Sequence, residues 1–139
     1  MIPVILSIRG TQAYLDQEPD TIELVTEGTM SKTENGWLIQ YEESELTGLA
    51  GVTTTFQVAP DKVTLTRSGK LSSQMIFQEG VCHDSLYQSE FGTMLLSVCA
   101  QSIRYSLDEK GGTIDMIYGI ELEQSMAGTV EYHLDIRSK

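Results

Sequence analysis

The stretch Thr113-Ile114-Asp115-Met116-Ile117-Tyr118-Gly119-Ile120-Glu121-Leu122-Glu123 puts Ile114, Met116, Tyr118, Ile120 and Leu122 on one side, with Thr113, Asp115, Glu121 and Glu123 on the other. Successive side chains of an extended chain point to opposite faces. This alternation therefore reads as a β-strand with one face in a core and one in water. Residues 129–137 repeat it, with Val130, Tyr132, Leu134 and Ile136 inside. In 37–43 the residues Trp37, Ile39, Tyr41 and Glu43 share a face opposite Leu38, Gln40 and Glu42. In 61–68 Val63, Leu65 and Arg67 oppose Lys62, Thr64, Thr66 and Ser68. Further strand-like runs lie at 2–10, 20–33, 51–58, 73–79, 82–90 and 93–107. The last is the least regular: over 91–107, Phe91, Leu95 and Val98 fit a helical face, whereas Ile103, Tyr105 and Leu107 alternate, and a strand is the better reading.

Turn chemistry separates these runs. Asn35-Gly36 suits a type I′ hairpin turn, whose two central residues need positive φ. Ala59-Pro60-Asp61, Gly111-Gly112 and Ala127-Gly128 are further turn candidates, and a short helical turn fits 44–49. Successive hairpins make neighbouring strands antiparallel, and half of each strand is apolar. Closing such a meander on itself hides the apolar faces and the sheet edges together. The expectation is an all-β fold, a single antiparallel up-and-down β-barrel of roughly eight to ten strands. A β-sandwich is the alternative, disfavoured by the run of tight hairpins.

The chain has 139 residues, of which 9 are Lys or Arg and 20 Asp or Glu, a formal net charge of −11. Nucleic acid and anionic membranes are excluded as partners, because an acidic field repels polyanions and counterion release needs a basic patch. At 40% hydrophobic residues the chain is no charged disordered tail, and one domain spanning 1–139 is expected. The apolar run 2–8 has no preceding Lys or Arg and is followed by Arg9, which is unlike a signal peptide. No stretch approaches the roughly 20 apolar residues that cross a bilayer. Cys82 and Cys99, without CxxC spacing, are expected to be reduced thiols of a cytoplasmic protein, a disulfide between them being the less favoured state.

The elements Tyr41-Glu42-Glu43, Leu46-x-Gly48, Arg67-Ser68-Gly69, Phe91-Gly92 and Asp108-Glu109-Lys110-Gly111, followed by Ile114 and Tyr118, resemble in order and spread the YwiB-like family. These are small, uncharacterised bacterial proteins similar to calycins, the lipocalin-like closed barrels. The resemblance implies a bacterial cytoplasmic protein with a calycin-like barrel and supplies no catalytic or binding residue. Calycins often enclose a small, mostly apolar ligand, an analogy of fold only.

Arg67 stands out because it continues the inward face of Val63 and Leu65. A charge there must be satisfied, either by Glu43, which ends the inward face of its own strand, and by carbonyls, or by the carboxylate or phosphate of a ligand. Tyr41, Tyr87, Tyr105, Tyr118 and Tyr132 share inward parity, as do Met75, Met94 and Met116. Most such residues fill core volume. Cys82-His83-Asp84 is a poor nucleophile and base, since adjacent strand residues face opposite ways. Glu42, Glu43 and Glu45, and likewise Asp115, Glu121 and Glu123, follow no cation-loop spacing and read as solvated surface, so neither metal nor cofactor is expected.

The leading expectation is a non-enzymatic barrel that binds a small apolar or amphipathic ligand through Arg67, Glu43, Tyr41 and Tyr87. The second is a solid barrel acting as a protein-interaction module through its acidic surface, with a protein partner or a second copy of itself. A hydrolase or isomerase using His83 or Glu43 comes third.

Overall fold

The computed structural model describes residues 2–14, 20–34, 36–43, 51–69, 72–89, 92–122 and 125–139, with the side chains at 12–14, 20, 22, 87, 89, 122 and 125–127 outside the description. Ten strands follow one another: β1 Ile2–Tyr14, β2 Asp20–Lys32, β3 Trp37–Glu42, β4 Val52–Val58, β5 Val63–Gly69, β6 Ser73–Phe77, β7 Cys82–Ser89, β8 Gly92–Asp108, β9 Gly111–Leu122 and β10 Ser125–Ser138. They form one antiparallel sheet in the order β6-β5-β4-β3-β2-β1-β10-β9-β8-β7. Its two end strands meet, among the described residues, at two isolated bridges, Gln78 to Val81 at the β6–β7 turn and Ser72 to Gln88 at the far end of the same strands, which close the sheet into a nearly complete barrel. The helical turn expected at 44–49 lies outside the described residues.

Alternation predicts which side chains point inward. Leu6, Ile39, Phe56, Val63, Phe77, Val98, Ile114 and Leu134 are fully enclosed, each on the apolar parity of its strand. Rings meet across the interior, Phe56 with Tyr132 at 5.9 Å and Phe77 with Tyr118 at 4.7 Å between centroids, so the middle of the barrel is filled. At the end where β2, β4, β6 and β8 finish, Tyr105 donates to the Ala59 carbonyl at 3.3 Å.

The turns lie slightly off their sequence positions. Lys32 pairs with Trp37 and the Thr33 N–H bonds the Gly36 carbonyl, so the chain reverses between Thr33 and Gly36, and the expected Asn35-Gly36 turn falls partly outside the described residues. Residue 35 itself is outside the description. Gly36 is required for another reason: a Cβ there would sit 1.7 Å from the Val58 carbonyl oxygen. The Gly111-Gly112 turn also moves back, to Glu109-Lys110, because Asp108 already pairs with Gly111. Gly112 lies inside β9 at φ +143°, where a Cβ would meet the Ser106 carbonyl at 1.8 Å. Ala127-Gly128 is no turn, since Gly128 pairs with Ile120 on one side and Tyr14 on the other.

The irregularity of 91–107 has a cause. A register shift between Ala100 and Ser102 inserts one residue into β8, so the inward parity passes from Leu96, Val98 and Ala100 to Ile103 and Leu107. Beyond this core, Met94 is 37% exposed towards the β7–β8 turn and Tyr105 is 39% exposed at the opposite mouth, so neither is enclosed as parity alone predicts.

Cys82 and Cys99 are not free thiols. They are direct partners in the β7–β8 register, their Cα atoms 4.1 Å apart, and they form a disulfide. The sequence expectation of reduced cysteines is corrected by this pairing, which the 17-residue separation does not reveal.

Candidate functional site

Arg67 sits two residues before the end of β5, opposite Thr54 on β4 and Ser73 on β6. It keeps the inward parity of Val63 and Leu65 and is partly enclosed; its Nε is fully buried and has no hydrogen-bond partner among the described residues. Glu43 lies one residue past β3, where its N–H still bonds the Val52 carbonyl at 2.8 Å and so holds it in line with Ile39 and Tyr41. It is 8% exposed, and Thr54, fully buried, donates its hydroxyl to Glu43 Oε1 at 2.7 Å.

Tyr41 also hydrogen-bonds the Glu43 carboxylate and receives the hydroxyl of Tyr132 from β10, three strands away along the curled sheet. Hydroxyls thus run from Tyr132 to Tyr41 to Glu43, with Thr54 joining from the other side. Burial raises the Tyr41 hydroxyl far above its ordinary value; the Glu43 charge and hydrogen bond add to this, and Arg67 opposes it. Burial raises Tyr132 in the same way, helped by Tyr41 and Tyr118 and again opposed by Arg67. Both are neutral hydroxyls at ordinary pH.

The sequence expectation named Arg67, Glu43, Tyr41 and Tyr87. The structure brings Tyr41 and Glu43 into one hydrogen-bonded cluster, with Arg67 near enough to act on Tyr41 and Tyr132 electrostatically. The Tyr87 side chain lies outside the description. Sequence reading missed Thr54, Ser73 and, as a cluster member, Tyr132. The available signal was a hydroxyl on inward parity: Thr54 alternates with Val52 and Phe56, and Ser73 with Met75 and Phe77.

His83 faces inward beside Val98 and contacts Gln78 through Nε2 at 3.1 Å, while Cys82 points outward in its disulfide. Among the described residues no group of three metal-ligating side chains assembles, and no helix is long and apolar enough to cross a membrane.

The model of a family described as a domain of unknown function, DUF1934, matches residues 6–136. The uncharacterized β-barrel protein YwiB of Bacillus subtilis (strain 168) is 30% identical over 108 residues, covering 77% of this chain and 74% of that one. The crystal structure of the B. subtilis YwiB protein superposes with a TM-score of 0.82 at 24% identity, covering 96% of this chain and 91% of that one. The superposition shows a shared barrel fold, and the family match with the sequence relative shows that this chain belongs to the DUF1934 family, uncharacterised β-barrel proteins of the YwiB kind.

Proposed function

We propose that the protein binds a small, partly apolar molecule bearing an oxyanion at the Arg67 end of its barrel. Arg67 is the polar anchor, and Tyr41, Glu43 and Tyr132 form the fixed hydroxyl network beside it. What carries this reading is Arg67 Nε, a buried guanidinium nitrogen that no described residue satisfies. Leaving a buried donor unpaired costs more than one hydrogen bond returns, and the planar guanidinium fork matches a carboxylate or phosphate. Phe56 and Tyr132 supply an aromatic floor beneath this end. The reading is of a binder and not of an enzyme; a cytoplasmic location belongs to the same proposal.

Native mass spectrometry of the protein as purified tests it. The expected spectrum carries a mass increment of one small molecule, which Arg67→Met loses while its circular dichroism is unchanged. Retention of the increment by Arg67→Met overturns the reading. So does a wild-type protein that carries no molecule and binds neither carboxylates nor phosphates at millimolar concentration.

The filled middle of the barrel favours a second reading, a solid scaffold whose acidic outer face meets a basic partner. Its test is a pull-down weakened by salt and by Glu42→Lys, an exposed site on β3.

A further inference from the structure

β6 and β7 end the sheet order, and they touch differently from every other neighbouring pair. Ser72 and Gln88 exchange two backbone hydrogen bonds of 2.8 Å, and Gln78 bridges Val81 at the turn. Between these bridges Ser73–Phe77 and Cys82–Tyr87 form no ladder with each other among the described residues. By contrast, β1 and β10 pair without interruption from Val4 with Ser138 to Tyr14 with Gly128.

Buried polar atoms without a partner gather at the same place. Among the described residues they are Arg67 Nε, Ser73 Oγ and Ser85 Oγ, on three consecutive strands around the closed barrel. Ser73, 4% exposed, is directly opposite Arg67, and Ser85 is opposite the core residue Leu96, so it faces inward from the far side of the seam. Unsatisfied buried donors are rare in folded proteins, and each calls for an explanation. Three around one unzipped seam are answered by one group with several acceptor oxygens.

We propose that the β6–β7 seam is the door through which the ligand passes, and that Ser73 and Ser85 hold its carboxylate or phosphate oxygens from either side of that door together with Arg67. This rests on the binding reading above and adds the route and the anion subsite. Parting the seam breaks the Ser72–Gln88 pair, whereas any other strand boundary requires a whole ladder to open. From the opposite mouth the way is barred by the Tyr105–Ala59 contact and by the rings filling the middle.

Hexanoate and hexyl phosphate, with hexan-1-ol as the uncharged control, serve as probes in calorimetry and stopped-flow mixing. Ser73→Ala and Ser85→Ala are expected to weaken the anions about three- to tenfold each while leaving hexan-1-ol unchanged, and the better of the two anions identifies the headgroup. Ser72→Cys with Gln88→Cys staples the seam, because a hydrogen-bonded antiparallel pair has Cα atoms about 5.5 Å apart, within disulfide range. Oxidised, the staple should slow association and dissociation about tenfold or more with affinity nearly unchanged. The wild type with and without reductant controls for Cys82–Cys99. Gln88→Pro, which removes the N–H given to Ser72, should speed both rates. Rates unmoved by either seam variant overturn the door, and anion affinity unmoved by both serine variants overturns the subsite. Failure of every probe to bind the wild type removes the binding reading itself.

Discussion

At Thr54 one hydroxyl decides whether the Glu43 carboxylate is held from two strands or one. Valine has nearly the same shape without the donor, so Thr54→Val leaves a buried carboxylate oxygen short of a partner at 2.7 Å. Such a loss costs about 1–3 kcal/mol, to be read as a lower urea midpoint that Thr54→Ser largely restores. Tyr41 and Tyr132 make a second residue-scale prediction. Both hydroxyls are raised above the ordinary value of 10.0, chiefly by burial. Above about pH 10 the unfolded chain releases these protons while the native state keeps them. The native state then binds more protons, so their stabilisation is complete below pH 10 and is lost as pH rises beyond it. Tyr41 and Tyr132 should therefore ionise only as the protein unfolds, seen in the phenolate absorbance. Tyr41→Phe with Tyr132→Phe should flatten the alkaline fall in stability, and an unchanged slope would count against the buried network. Parity alone reads Arg67, Glu43 and Tyr41 as inward, because a charge on an apolar face is conspicuous. Thr54 and Ser73 are not conspicuous, since short hydroxyls commonly satisfy themselves on nearby backbone.

The β7–β8 hairpin illustrates what an element adds to its residues. Cys82 and Cys99 become partners only once the register is known, and that register runs unbroken from Ser89 opposite Gly92 to Cys82 opposite Cys99. With the two cysteines 17 positions apart, the cross-link removes unfolded-state freedom of about 3 kcal/mol. Thiol titration in denaturant without reductant should find no free thiol, and Cys82→Ser with Cys99→Ser should lose stability of that order. Two titratable thiols would restore the reduced state expected from sequence. Elsewhere the runs of alternation locate all ten strands, because each carries an apolar face that water-to-core transfer makes unambiguous. Where the inward parity switches within β8, an inserted residue is responsible, the shift at Ala100/Ser102, and a second shift lies between Ser125 and Ala127 in β10. The seam between β6 and β7 has no sequence signature, yet it has a consequence for exchange. The Ser72 and Gln88 N–H groups point across it, so by alternation those of Gln74, Ile76, Asp84 and Leu86 do too, without ladder partners. These amides should exchange at least about a hundredfold faster than those of Leu6 and Leu134 in the fully laddered β1–β10 pair. Equal protection would mean that the barrel is zipped all round.

For the whole molecule, charge is the property that shape does not explain. The outer face orders part of it into a row across five neighbouring strands. Glu23, Arg9, His133, Asp115 and Arg104 are direct register partners in turn, with Arg9–Glu23 at 3.6 Å and His133 bonded to Asp115. Opposite charges on register partners attract, as between Arg9 and Glu23 and between Arg104 and Asp115, but at this exposure each pair is worth about 0.2–1 kcal/mol. Against the row stands a net charge of −11, whose self-repulsion grows with the square of the charge and is largest in the compact state. Added salt weakens both, since the Debye length falls from about 30 Å at 0.01 M to a few ångströms near 1 M. The pairs lose little because there is little to lose, and the long-range repulsion loses most. Raising sodium chloride from about 0.02 M to 0.5 M should therefore raise the melting temperature by several degrees. Chloride is the informative anion, because sulfate stabilises folded proteins by exclusion whatever their charge. Arg104→Gln separates the two contributions: it breaks one end of the row and moves the net charge from −11 to −12, so its low-salt melting point should fall and its salt-induced rise should exceed that of the wild type. A melting point that falls with salt in the wild type would mean instead that the row of cross-strand pairs outweighs the repulsion it sits in.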